Sequence, residues 1–263
     1  LNVARACRGL GARMIFYSSE YVFDGVKGVY VEEDGVCPMN EYGRQKAAAE
    51  EGVMAQDPRN LVLRTSGAYG WQWELKNFVL QIRKNLSEGK SMRVACDLRY
   101  NPTYVENLAE ITVALAEAGA SGIFHAVGAD EIVRYEFALR VAKAFGLDAG
   151  LLRPIPAAEL GSPTPRPQES SLRTDKVRAA VRVQPAALGC DRLAVSRVAT
   201  AEVLEQCAAA VLDALPGVNP KASTGAVYRQ LMAAKPADQG SLEYGTALWQ
   251  QAGEVLAAAI DSE

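Results

Sequence analysis

Along the first 180 residues, short β-rich apolar runs alternate with longer runs whose apolar side chains recur at helical spacing. This alternation restricts the fold more than any other feature, because it builds parallel sheets with helices packed on both faces. NVARACRGL (2–10) has helical periodicity and ends at Gly11, a C-cap residue type; RMIFYSS then reads as a strand. NEYGRQKAAAEEGVMA is a helix with Asn40 as N-cap, and NLVLRTSGAYG is a buried strand breaking into a loop. The pattern continues with helix NFVLQIRKNLSEG, strand SMRVACD, helix PTYVENLAEITVALAEAG with Pro102 at its start, strand GIFHAVG and helix EIVRYEFALRVAKAFGL. Five prolines between 154 and 167 predict that 151–168 is largely extended loop, and SSLRTDKVRAA returns as a capped helix. From 190 onward only helical segments are expected, in a tail with nine acidic and five basic residues. The expected organisation is an α/β domain over 1–189 with a Rossmann-like, mostly parallel sheet, and a helical appendage over 190–263. That appendage either caps the sheet domain or docks a partner.

The 263 residues suffice for a sizeable core, and a net charge of −3 offers no footprint for nucleic acid or anionic membrane. No apolar run is long enough to span a bilayer. Cys7, Cys37, Cys96, Cys190 and Cys207 are widely spaced and never form a CxxC pair, so neither a disulfide framework nor a zinc site is expected, and reduced thiols in the cytoplasm are. The single histidine, His125, lies in a strand-like run and reads as structural.

Chemistry concentrates in SSEYVFDG (18–25) and EYGRQK (41–46). Tyr42 and Lys46 stand four apart on the expected helix and so share a face. A phenol with a pKa near 10 is a poor acid at neutral pH; a neighbouring ammonium would lower that value. A Ser19 hydroxyl at a strand end could hold a substrate oxygen while Tyr42 exchanges a proton with it. The set suits carbonyl reduction or alcohol oxidation, with the hydride supplied by a cofactor.

SSEYVFDG, YVEEDGVCPMNEYGRQKAAAE, LVLRTSGAYG, NPTYVENLAE, GIFHAVG and RPQESSLRTDKV occur in one order, and with them the chain resembles the extended short-chain dehydrogenase/reductases, within them the dTDP-4-dehydrorhamnose reductase group. The resemblance implies reduction of a keto group on a nucleotide-linked sugar, with NADP or NAD as cofactor. It makes Ser19 the carbonyl-polarising hydroxyl and Tyr42 the general acid. Lys46 then lowers the phenol pKa and holds the nicotinamide ribose, and Glu20 takes an auxiliary acid position where the family usually has Asp. Tyr42, Lys46 and Thr65 are the implied cofactor contacts; Tyr21, Asn77 and Arg166 are the implied substrate contacts, with the Arg166 guanidinium suited to a diphosphate. Phe78 is expected in the core, and Asp24 with Gly25 in a turn.

The family's glycine-rich strand-turn-helix for the dinucleotide pyrophosphate has no counterpart in this sequence. The resemblance therefore implies that the first three strands of the sheet lie upstream of Leu1, leaving RMIFYS at a sheet edge. Gly67 stands where the rhamnose-forming reductases usually carry a tryptophan, a role Trp71 or Trp73 could take over. A second reading is open: the non-catalytic regulatory β subunit of methionine adenosyltransferase belongs to the same group and acts through a partner enzyme. A homodimer and a nucleotide-sugar epimerase or dehydratase are further alternatives.

Overall fold

The computed structural model describes residues 2–70, 77–162 and 164–188. The helical segments expected over 190–263, together with Trp71 and Trp73, lie outside the described residues.

In chain order the elements are α1 (Asn2–Gly9), β1 (Ile15–Ser19), a helical turn (Glu20–Val22), α2 (Glu41–Gln56), β2 (Leu61–Thr65), β3 (Ala68–Tyr69) and α3 (Phe78–Ser87). There follow β4 (Met92–Ala95), β5 (Arg99–Tyr100), β6 (Thr103–Tyr104), α4 (Val105–Glu117), β7 (Gly122–His125), β8 (Ile132–Val133), α5 (Arg134–Phe145), β9 (Leu152–Ile155) and α6 (Asp175–Ala180). Helix α2 begins where the sequence implies: Asn40 Oδ1 accepts from the Gly43 N–H at 2.8 Å, satisfying a donor that the first turn leaves open.

Strands β1, β2 and β7 form a parallel sheet in that order, with Ser19 level with Thr65 and Arg64 level with His125. Pleating sends alternate side chains to opposite faces. Leu61, Leu63 and Phe124 pack against Leu108, Ile111 and Leu115 of α4 and Val177 of α6, whereas Val62 joins Ala4 of α1 and Val53 of α2. Both faces are covered, as the α/β pattern requires, and each fully buried Leu, Ile or Phe contributes about 1.5–3 kcal/mol. A separate cluster gathers Val79 and Ile82 of α3 with Phe137 and Val141 of α5 beside Val94 of β4. Among the described residues β1 pairs with β2 alone, which leaves its outer edge bare, as expected for RMIFYS.

Three local expectations are corrected. Residues 152–155 are not loop: β9 runs parallel to β4, with Pro154 opposite Val94. A strand with a single neighbour tolerates the missing proline N–H, which sequence rules count against a strand. Pro102 does not start α4 but precedes β6, and Tyr104 is the N-cap, without a side-chain cap. Thr174 is the N-cap of α6 but makes no side-chain capping bond; its hydroxyl accepts from Arg178 Nε at 2.9 Å.

Behind β2 lies a buried polar network. Arg64 is bound in a fork by Glu50, with Nε 3.0 Å from Oε1 and Nη2 2.8 Å from Oε2. His125 is fully buried, with Nδ1 3.2 Å from the Arg173 carbonyl and Nε2 3.5 Å from Arg64 Nη1. Burial first, then the Arg64 charge, lowers its pKa from 6.5 to about 3, so the ring is neutral, with Nδ1 donating and Nε2 facing the guanidinium. The lone histidine is structural, as its sequence context implies. Among the described residues, no helix is long and apolar enough to cross a membrane.

Candidate functional site

The carboxyl ends of parallel strands are where open α/β sheets place ligands, and β1 and β2 end there on Ser19 and Thr65. Ser19 caps the turn that follows β1. Its Oγ accepts from the Tyr21 N–H at 3.2 Å and donates to Glu20 Oε2 at 2.6 Å. Glu20 is buried, and desolvation raises its carboxyl pKa against the opposing pull of Ser19, Ser66 and the Arg134 charge.

Tyr42 sits in the first turn of α2, half exposed, with its ring edge-on to Tyr21 at 5.7 Å and 84°. Gly43 makes this approach possible. A Cβ there would collide with the Tyr21 carbonyl oxygen and lie 2.9 Å from Pro38 Cβ. The expectation that Lys46 lowers the Tyr42 pKa is not met: the phenol is raised above 10, by burial first and by the Glu20 charge, with only the Ser19 hydrogen bond pulling it down. The reason is geometric. Lys46 shares the helix face with Tyr42, but its Nζ donates to the Tyr17 carbonyl at 2.8 Å and lies 4.9 Å from the Phe16 ring centre, against 5.8 Å for the Tyr42 ring.

Ser19, Glu20, Tyr21, Tyr42, Thr65 and Arg166 all line one cavity of about 310 Å³. Lys46 and Asn77 are not on its wall. Asn77 is occupied elsewhere: it caps α3 by accepting from the Leu80 N–H at 3.1 Å and donates to the Gly70 carbonyl at 2.7 Å, so its amide ties a loop to a helix. Phe78 packs on the core as expected, 6.0 Å from Phe137. Asp24 is a turn residue, its carboxylate accepting from the Val26 N–H at 3.0 Å and from the Tyr30 hydroxyl at 2.6 Å.

Sequence reasoning missed Ser18, Ser66, Tyr100 and Arg134, which also line the cavity. Ser18, Thr65, Ser66 and Tyr100 have buried hydroxyls without a hydrogen-bond partner of regular geometry. A buried polar group without a partner costs about 1–3 kcal/mol; Ser66 and Tyr100 have looser contacts with Glu20 and Arg134, and the four hydroxyls together make the cavity lining suited to a polar ligand. Gly67 gains a steric explanation. Its φ is +49°, and a Cβ there would run into the Tyr100 ring, so Tyr100 fills the space beside it and no larger side chain fits. The hint for Arg134 was its position: a cation at the first residue of a helix opposes the helix dipole.

The residues present fit one end of a dinucleotide. The orphaned Ser18 and Thr65 hydroxyls and the Lys46 ammonium lie at the ends of β1 and β2, where a nicotinamide ribose would need donors. No glycine-rich turn that could cradle the pyrophosphate follows a strand in this sequence.

Known proteins share this architecture. The family model of the RmlD substrate binding domain matches residues 1–197. A dTDP-4-dehydrorhamnose reductase of Mycobacterium tuberculosis is 36% identical over 177 residues, 65% of this chain and 58% of the relative. Methionine adenosyltransferase 2 subunit beta of Xenopus laevis is 33% identical over 184 residues, 67% of this chain and 54% of the relative. The chain thus spans less than two thirds of the length of either. Among solved structures, the dTDP-4-dehydrorhamnose reductase of Bacillus anthracis in complex with NADP superposes with a TM-score of 0.70 at 26% identity, covering 76% of this chain and 70% of that one. With the parallel sheet, the motifs at its strand ends and a family match across three quarters of its length, the chain belongs to the RmlD substrate binding domain family.

Proposed function

We propose that the intact protein reduces a keto group on a nucleotide-linked sugar, with NADPH or NADH as the reductant. The observation that carries this reading is the convergence of Ser19, Tyr42 and Thr65 on one cavity whose wall presents orphaned hydroxyls. The reductase names of the relatives support it. When bound, the cofactor supplies the hydride.

This chain's residues do the rest. Ser19 donates a hydrogen bond to the substrate carbonyl oxygen in exchange for its bond to Glu20. Tyr42 gives its phenolic proton to the oxygen as negative charge develops there, and water restores it. The Tyr42 phenol is protonated at neutral pH, as a proton donor must be, and its bond to Ser19 opposes the rise that burial imposes on its pKa. Tyr21 and Arg166 contact the substrate, Arg166 through its phosphates. Lys46 and Thr65 hold the nicotinamide end, with the Tyr42 ring packed beside it.

The test is oxidation of NADPH or NADH by the intact protein on addition of a dTDP-4-keto-6-deoxysugar. Loss of nicotinamide absorbance that requires both sugar and protein supports the reading. Cofactor binding without turnover, together with altered activity of a methionine adenosyltransferase mixed with the protein, would replace it by the regulatory-subunit reading.

A further inference from the structure

One wall of the cavity carries a cation that the proposed proton transfer does not use. Arg134 opens α5, where Val133 provides no side-chain cap, and its guanidinium lies 3.8 Å from the Phe78 ring centre and 5.7 Å from that of Tyr100. Stacking on Phe78 fixes the plane of the fork. No carboxylate forms a salt bridge with it among the described residues, although Arg59, Arg64, Arg99, Arg140 and Arg173 all have acidic partners. Beside it lie the hydroxyls of Tyr100, 6% exposed, and Ser66, 1% exposed; neither makes a hydrogen bond of regular geometry, and each has one looser contact, Tyr100 with Arg134 and Ser66 with Glu20.

A cation at a helix start, held flat by an aromatic ring and flanked by two buried hydroxyls with hydrogen-bonding capacity to spare, is built to receive a planar oxyanion. Glu20 is the acid that would oppose this. Burial raises its pKa and the Arg134 charge opposes that rise, while its Oε2 is held by the Ser19 hydroxyl at 2.6 Å. Arg166, also on the cavity wall, serves the diphosphate in the proposed function, so Arg134 is left for the sugar.

Resting on that function, we propose that Arg134, with the Tyr100 and Ser66 hydroxyls, recognises a carboxylate on the sugar ring, so that nucleotide-linked uronic acids bind in preference to the corresponding neutral sugars. The competing source of an oxyanion is the nucleotide diphosphate, and the experiment separates the two.

The test measures the affinities of the intact protein and of Arg134→Gln for dTDP, dTDP-glucose and dTDP-glucuronic acid by titration calorimetry. Wild type should bind the glucuronic acid at least about tenfold more tightly than the glucose, the gain of one charge-assisted fork. Arg134→Gln should erase that preference and leave dTDP affinity unchanged. Equal affinity of wild type for the two sugars overturns the proposal. So does a variant that loses dTDP affinity in proportion, since Arg134 would then hold the diphosphate. Failure of wild type to bind dTDP at all refutes instead the nucleotide-sugar reading on which the proposal stands. The Tyr100→Phe variant, which keeps the ring beside Gly67 and removes only the hydroxyl, should halve the preference or more while leaving dTDP binding intact; no change excludes Tyr100 from the site.

Discussion

Replacing Glu50 with alanine probes the polar network that sets the end of β2. The Arg64 side chain is 2% exposed and the Glu50 side chain 5% exposed, and Glu50 supplies both oxygens of the fork that neutralises Arg64. Without it, the guanidinium keeps only neutral neighbours at hydrogen-bonding range: the Glu32 carbonyl at 3.4 Å and His125 Nε2 at 3.5 Å. Removing one partner of a buried pair costs about 3–5 kcal/mol, because the stranded charge cannot regain water. Against a total stability on the order of 5–15 kcal/mol, that is a large fraction. With a urea dependence of about 2 kcal/mol per molar, the unfolding midpoint should fall by about 2 M. The double variant Glu50→Leu, Arg64→Met should recover most of the loss, since an apolar pair of similar volume is often neutral or better. Because Arg64 precedes Thr65 in β2, the single variant should also weaken cofactor binding. A Glu50→Ala cost below about 1 kcal/mol, or a double variant no more stable than the single one, would refute the stranded-charge reasoning.

Two further outcomes follow from the same geometry. The folded His125 pKa of about 3 lies below the unfolded value of 6.5, so the unfolded chain takes up a proton first; stability is complete above pH 6.5 and falls as pH drops toward 3. Between pH 7 and pH 5 His125→Gln should lose about 2 kcal/mol less than wild type in urea unfolding, and parallel losses would contradict the assignment. Gly43→Ala should destabilise by about 1–3 kcal/mol through collision with the Tyr21 carbonyl, despite the better helix propensity of alanine. A melting temperature equal to or above wild type would show that α2 can move aside without cost.

Much of the fold was legible because its signals are local. Asn40 before an alanine-rich run specifies the start of α2, and the short apolar run LVLRT specifies a buried strand. β9 was not legible, since Pro154 removes a ladder donor and only the pairing with β4 reveals the strand. The site was half legible for the same reason. Ser19, Tyr42 and Glu20 carry their chemistry in two short motifs, but whether a lysine four residues away faces the phenol or a strand carbonyl depends on β1, 29 residues from it. Asn77 shows how one residue type serves a helix cap as well as a pocket: the structure commits both ends of its amide to backbone groups. Tyr100 and Arg134 escaped notice because nothing nearby in sequence marks them; the contact between Tyr100 and Gly67 exists only in three dimensions.

Comparing Tyr42→Phe with wild type, in the intact protein, for both cofactor affinity and keto-sugar-dependent oxidation of NADPH is the most direct test of the proton-transfer role. The proposed mechanism requires turnover to fall by at least about a hundredfold while cofactor affinity holds within about twofold, since the phenol proton is lost and the ring is kept. Turnover near the wild-type rate would contradict it.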